Sequence, residues 1–202
     1  YTAIKLPIFI YKRTGLYQMQ GKIIIDAPIQ TGMLKIGPHC LGTQDVLFSR
    51  TMWQVAGNLI IKGHTSFGRG CKISIGQQAQ LTVGKNFTIT GKSDIICQKS
   101  ITFGDNCLLS WDILIMDTDF HHIYNLDSVA EGEQINIPKA IIIGNHVWIG
   151  CRTMILKGVY IGNENVIAAG STITRSINAE NCIIGGNGKC VEIIKKEISW
   201  LA

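Results

Sequence analysis

Residues 141–177 read IIIGNHVWIGCRTMILKGVYIGNENVIAAGSTITRSI. Every sixth position from Ile143 is isoleucine (Ile149, Ile155, Ile161, Ile167, Ile173), and one step back adds Ile137. A period of six belongs neither to a 3.6-residue helix nor to a long alternating strand. The residue after the key isoleucine is often small, as at Gly144, Gly150, Gly162 and Ala168. The fourth residue after it is often small or β-branched: Val147, Thr153, Val159 and Ser171. A short strand followed by a two-residue corner produces both features. The isoleucine points inward, glycine tolerates the corner, and only a modest side chain fits the second inward place. Three such strands close a triangular coil of about eighteen residues, and coils stack at roughly 4.8 Å.

The same step continues upstream through Val83, Ile89, Ile95, Ile101, Cys107 and Ile113. Between residues 23 and 80 the pattern is looser, with apolar residues paired before Gly37 and Gly76, as they are just beyond it before Gly84. A β-sandwich or barrel would space its strands by roughly 8–12 residues with variable turns, and a locked phase of six is hard to obtain from it. The expectation is an all-β solenoid over residues 23–187. Residues 1–22 and 188–202 are expected to cap its open strand edges.

Composition agrees. The 202 residues suit one domain, and 46% apolar against 16% charged residues supplies a core. The net charge of +5 is scattered, with no dense basic block, which argues against nucleic acid as a partner. No apolar run approaches the roughly 18 residues of a membrane span, so stable membrane insertion is not expected. The chain does not begin with Met, and its first segment lacks the small-residue cleavage site of a signal peptide. Cys40, Cys71, Cys97, Cys107, Cys151, Cys182 and Cys190 are odd in number, irregularly spaced and without a CxxC. That pattern fits a reducing cytoplasm better than a disulfide framework or zinc knuckle.

The phase is interrupted once. From Ile113 to Ile143 is five steps of six, yet the intervening places are Asp119, Asn125 and Glu131. Burying them in a dry prism would cost several kcal/mol each. Residues of about 119–136 should therefore leave the coil as a loop, with the solenoid resuming at Ile137. Loops of this length in compact domains tend to be functional. This one opens with MDTDFHHIYN, from Met116 to Asn125. A histidine at the root of such a loop is held by a rigid scaffold yet open to solvent, which suits a general base.

The run 141–177 resembles the hexapeptide-repeat acyltransferases, whose fold is a left-handed parallel β-helix. The tail NCIIGGNGKCVEIIKKEISW, residues 181–200, is similar to that family's closing segment, commonly GGNPAK, with Gly188 in place of the Pro. The resemblance covers residues 81–196 well and supplies the hand of the coil, which periodicity does not. It implies transfer of an acetyl group from acetyl-CoA to a hydroxyl of a sugar or polysaccharide precursor. Backbone N–H groups would stabilise the oxyanion, with no covalent acyl-enzyme and no metal. In the sugar O-acetyltransferase branch the base follows a D-x-D-x-H run, matched here by Asp117, Asp119 and His121, with His122 as the extra histidine. Either aspartate would hold the imidazole tautomer or bind acceptor hydroxyls. The family's acetyl-CoA groove, between subunits of a homotrimer, carries over to Trp148, Cys151, Ala169, Thr174 and Arg175. With little chain ahead of the first strand-like run, the polysaccharide-building enzymes fit better than those with a helical or α/β N-terminal domain.

Two other readings are weighed. A non-catalytic β-helix scaffold would lack both the loop-root histidine and the VWIG stretch. A γ-class carbonic anhydrase needs an H-x4-H pair, which His39, His64, His121, His122 and His146 do not provide.

Overall fold

The computed structural model describes residues 5–38, 42, 44–45, 47–126 and 132–201. His39, Cys40 and residues 127–131, including Glu131, lie outside the described residues. Short strands, three to a coil, stack into parallel sheets of nine, seven and six members. The nine-stranded sheet ends in one antiparallel strand, Glu192–Lys195, laid on Ile183–Gly185. The chain is thus a left-handed parallel β-helix.

One inward residue per strand marks the columns. Ile61, Val83, Phe103, Ile143 and Ile161 stand in register in the six-stranded sheet. Phe67, Ile89, Leu109, Ile149 and Ile167 do so in the nine-stranded sheet. Ile73, Ile95, Ile115, Ile155 and Ile173 form the third column, in the seven-stranded sheet. All fifteen are buried. From Ile61 onward, the step from the first column to the second is six residues in every coil, and so is the step from the second to the third; in the coil before it, those steps are eleven from Ile25 to Ile36 and seventeen from Ile36 to Trp53. The return from the third column to the first varies: ten from Ile73 to Val83, eight from Ile95 to Phe103, twenty-eight from Ile115 to Ile143, six from Ile155 to Ile161. From Ile61 onward, two edges of the prism are fixed and one is free in length.

This corrects the sequence reading in two ways. The shared phase of Ile113 and Ile143 is fortuitous. Ile113 precedes Leu114, which pairs with Met154, so its counterpart is Thr153, while Ile143 stands on Phe103. The upstream coils are also longer than eighteen residues, twenty-two from Ile73 to Ile95 and twenty from Ile95 to Ile115. Their larger interior takes the aromatic series Trp53, Phe67, Phe87 and Phe103, with successive ring centroids 5.1, 5.6 and 4.8 Å apart.

The fixed edge between the six- and nine-stranded sheets shows what locks a corner. The Lys85 N–H donates to Asp105 Oδ1, that of Asp105 to Asn145 Oδ1 and that of Asn145 to Asn163 Oδ1, each at 2.8 Å. A Cβ on Gly144 would lie 2.7 Å from Asn163 Oδ1, so this ladder needs a bare backbone there. The ends differ from expectation at one terminus. Residues 1–22, expected as a cap, already contribute Ile8–Ile10 and Thr14–Tyr17 as parallel members of two sheets. They form the first coil because their apolar residues match the next strands in register. At the other end Trp200 stacks on His146, centroids 4.1 Å apart with 11° between planes, and donates from Nε1 to the His146 carbonyl at 3.0 Å.

Candidate active site

The twenty-eight-residue step on the variable edge contains the loop. It leaves the strand Leu114–Met116 at Asp117 and re-enters at the strand Ile141–Ile143. Re-entry is later than the expected Ile137, which is 50% exposed. The Lys139 N–H donates to the Asp117 carbonyl at 3.0 Å, so the neck of the loop closes beyond Ile137.

Asp117 is fully buried. Its carboxylate accepts the backbone N–H groups of Gln98 (2.7 Å) and Lys99 (2.8 Å), one coil earlier on the same edge. The Cys97 thiol also faces it at 3.7 Å. Burial, and then the Asp117 charge, push the ionisation of that thiol far up. Cys97 is an inert core residue. Asp117, expected among the catalytic groups, is pointed at the preceding corner and cannot meet an acceptor from there. It does on this edge what Asn145 and Asn163 do on the fixed one.

The chain then turns sharply. Thr118 Oγ1 accepts the Phe120 N–H at 3.0 Å, and the Asp119 carbonyl accepts the His121 N–H at 2.7 Å. Phe120 takes a left-handed φ of +61°, a conformation a bulky residue adopts only where its surroundings impose it. It presents the next residue, His121, outward. The Asp119 carboxylate is held by Lys157 Nζ and by Asn136 Nδ2 at 2.9 Å. Those hydrogen bonds, that to Lys157 first, keep it below the usual carboxylate range. Among the described residues neither aspartate is hydrogen-bonded to an imidazole, so the expected tautomer-holding contact is not made here. Both carboxylates position the loop instead.

Two residues that sequence reasoning missed hold the neck. Asn136 is buried and makes four side-chain bonds. Its Oδ1 accepts from the Ile123 N–H (2.8 Å) and from Gln134 Nε2 (3.0 Å), and its Nδ2 donates to Asp119 and to the His121 carbonyl (2.8 Å). Lys157 also donates to the Asn136 carbonyl at 3.0 Å. Met116 pairs with Leu156, so Lys157 sits directly over Asp117. The only signal for it was that register, which cannot be counted without the loop length.

His121 is therefore fixed through both its N–H and its carbonyl while its ring is exposed, with no hydrogen-bond partner for the ring among the described residues. His122 Nδ1 lies 3.2 Å from the Tyr124 hydroxyl. Among the described residues no three His, Cys, Asp or Glu side chains cluster as metal ligands.

The five residues assigned to acetyl-CoA separate into groups. Cys151 and Ala169 lie together at the fixed edge between the nine- and seven-stranded sheets. There the Gly170 N–H bonds to the Cys151 carbonyl at 2.8 Å, and a Cβ on Gly150 would come 2.6 Å from the Ala169 nitrogen. Thr174 and Arg175 follow Ile173, in register with Leu156 and Lys157 on the variable edge, one coil beyond the loop neck. Both are exposed, and Arg175 donates to the Val191 carbonyl in the C-terminal segment. Trp148 is 38% exposed on the nine-stranded sheet and donates from Nε1 to Ser110 Oγ at 3.2 Å. One chain does not bring all five together.

Comparison with known proteins agrees with this architecture. Residues 140–175 match the family described as bacterial transferase hexapeptide (six repeats). The polysialic acid O-acetyltransferase of Escherichia coli O1:K1 is 33% identical over 144 residues, 71% of this chain and 42% of the relative. The galactoside O-acetyltransferase of Escherichia coli K12 is 34% identical over 99 residues, 49% of this chain and 47% of the relative. The chain thus spans less than half the length of these curated relatives. A polysialic-acid-specific acetyltransferase structure superposes with a TM-score of 0.58 over 92% of this chain and 90% of its own, at 23% identity. A galactoside acetyltransferase solved with coenzyme A gives 0.51 at 29% identity, over 63% and 60%. With its columns of isoleucine, the long corner after Asp117 and these relatives, the chain is similar to the hexapeptide-repeat acyltransferases, and residues 140–175 carry the family's repeat.

Proposed function

We propose that the chain transfers an acetyl group from acetyl-CoA to a hydroxyl of a sugar or polysaccharide precursor, with His121 as general base. The observation that carries this is the posture of His121: an exposed imidazole without a hydrogen-bond partner among the described residues, on a backbone pinned from both sides, at the edge of the prism that varies in length after Ile61. Neutral imidazole takes the proton of the acceptor hydroxyl as its oxygen attacks the thioester carbonyl. The carbon–sulfur bond breaks, and the proton returns through the imidazole to the departing thiolate, leaving CoA as the free thiol. No acyl-enzyme is required, and Cys151, at an open corner with no histidine placed against it, lines a cleft rather than attacking.

The corner at Gly150, Cys151, Ala169 and Gly170 carries only small side chains at these four positions, and it suits a narrow pantetheine arm between the exposed Arg152 and Trp111 beside it. The division of the remaining cofactor residues between two edges supports a homotrimer, in which the cleft edge of one chain would face the loop edge of the next. Acetyl-CoA and the free cysteines favour a cytoplasmic setting. Among the described residues no helix is long and apolar enough to cross a membrane.

Calorimetric titration of acetyl-CoA into the wild type and into His121→Ala tests the reading. Saturable binding to both, one per subunit, with thiol release from acetyl-CoA in an acceptor screen only for the wild type, is the expected result. No binding to either protein would sink it in favour of a scaffold role.

A further inference from the structure

The variable edge carries a second feature on the N-terminal side of the loop. Five glutamines, Gln18, Gln20, Gln54, Gln77 and Gln98, line a groove of about 560 Å³ whose floor is Ala56 and Gly76. Its size is that of a pocket for a small organic ligand. Val55, Ile75 and Cys97 pair in register, so Ala56, Gly76 and Gln98 follow one another across three coils. The missing side chain at Gly76 is what seats the last amide, since a Cβ there would lie 2.4 Å from Gln98 Oε1. Gln54 Nε2 donates to Gln18 Oε1 at 2.6 Å, which joins the first coil to the groove.

The lining holds no charged side chain. Each primary amide offers two donors and one acceptor, and rows of such groups match the hydroxyls of a sugar, each of which donates and accepts. A polyanion would find no countercharge, and an apolar ligand would leave the amides unpaired at a cost. The groove also has a direction. It spans four coils, roughly 14 Å at the spacing of stacked strands, and Gln98 at its far end donates its N–H to Asp117, the residue that opens the loop bearing His121.

We infer that this groove holds the chain of the acceptor: an uncharged, hydroxyl-rich glycan longer than a monosaccharide, lying along the variable edge with the hydroxyl to be acetylated at its loop end. The inference rests on the acetyl-transfer reading above and narrows its substrate class. It also departs from the polysialic acid named for two relatives, which is anionic.

An array of neutral and acidic bacterial oligosaccharides of graded length, probed with the wild type, Gln54→Ala/Gln98→Ala, Gln77→Ala and His121→Ala, tests it. Neutral glycans of two or more units should be retained by the wild type and by His121→Ala. Retention should fall at least tenfold in the double variant and severalfold in Gln77→Ala. Gln77 is exposed with its side chain outside the core, so that variant keeps the test meaningful if the double variant fails to fold. Retention of acidic glycans alone, equal retention by all the variants, or no retention of any neutral glycan would each overturn the inference. So would a change in subunit number in Gln77→Ala, which would make the groove a contact between chains. The two readings fail separately. Glutamine-dependent retention without acetyl transfer would keep the groove and remove the enzyme. Transfer that ignores both acceptor length and the glutamines would do the reverse.

Discussion

From Ile61 onward, two edges of this prism step six residues in all five coils, and the third steps ten, eight, twenty-eight and six. In the coil before them, which the Asp105–Asn163 ladder does not reach, the same two edges step eleven and seventeen, from Ile25 to Ile36 and from Ile36 to Trp53. The fixed edges are locked by side chains that reach the backbone of the neighbouring coil, as Asp105, Asn145 and Asn163 do. On the variable edge the device appears singly rather than as a ladder, at Ser176, whose Oγ accepts the Tyr160 N–H at 3.0 Å, and at Asp117, and the chain departs immediately after Asp117. Length is therefore cheap only where no ladder continues, since extending a surface loop adds little closure entropy. The His121 loop and the glutamine groove, the two features assigned to the acceptor, lie on the edge with that freedom, whereas the corner assigned to pantetheine lies on a fixed one.

The comparison breaks first at His121. Replacing it by alanine should lower kcat by about 10²–10⁴-fold and leave the melting temperature and acetyl-CoA affinity near the wild type, because its ring is exposed and makes no hydrogen bond among the described residues. Thiol-release kinetics alongside calorimetry check this. A loss of acetyl-CoA binding in the variant would mean the residue binds rather than catalyses. The reverse pattern belongs to the columns. Ile155→Ala, at 0% exposure, should cost about 2–5 kcal/mol of stability. Ile142→Ala, on an outward face at 47% exposure, should stay within about 0.5 kcal/mol. Equal losses in denaturant titrations would contradict the register that separates them.

Much of this was legible in the sequence, and the parts that were not share a cause. The coils after Ile141 could be read because all their corners have one length, so inward residues recur at a fixed interval. Upstream the corner on the variable edge lengthens by two or four residues. A six-step count there still lands on buried residues, such as Ile101 and Cys107, but mixes the two inward places of a strand. The loop announced itself through Asp119 and Asn125, polar residues where the phase required apolar ones. Its neck did not. Lys157 lies forty residues from Asp117 in sequence and directly over it in space, and Asn136 looked like one more polar loop residue. The glutamines of the groove are equally silent in sequence, because variable corners set their spacing.

Asn136 measures how far the loop depends on its neck. Asn136→Ala removes four side-chain bonds at a buried site. The His121 carbonyl would lose its anchor, and kcat should fall about tenfold through loss of positioning. A structural cost of about 1–3 kcal/mol should accompany it. Faster hydrogen exchange at the Ile123 and Ile135 amides, with exchange in the late coils unchanged, would locate that cost in the loop. Faster exchange throughout the solenoid would show that the variable edge is as tightly coupled to the columns as the fixed ones.

Lys157 gives the smallest effect and the most specific one. Its ammonium and Asn136 hold Asp119 below the ordinary carboxylate value of about 3.9. A carboxylate depressed on folding contributes stability that is fully present above its unfolded value and is lost as pH falls through the folded one. Lys157→Met should therefore move the Asp119 titration midpoint upward, read by carboxyl-carbon NMR. Above about pH 5 the variant should be less stable by no more than about 1 kcal/mol, since the Asp119 side chain is 42% exposed and solvent screens the pair. Below both midpoints that pH-dependent difference should vanish, because protonated Asp119 gains little from the ammonium. A midpoint unmoved by the substitution would mean that the ammonium does not hold Asp119 in solution, leaving Asn136 alone to carry the neck of the loop.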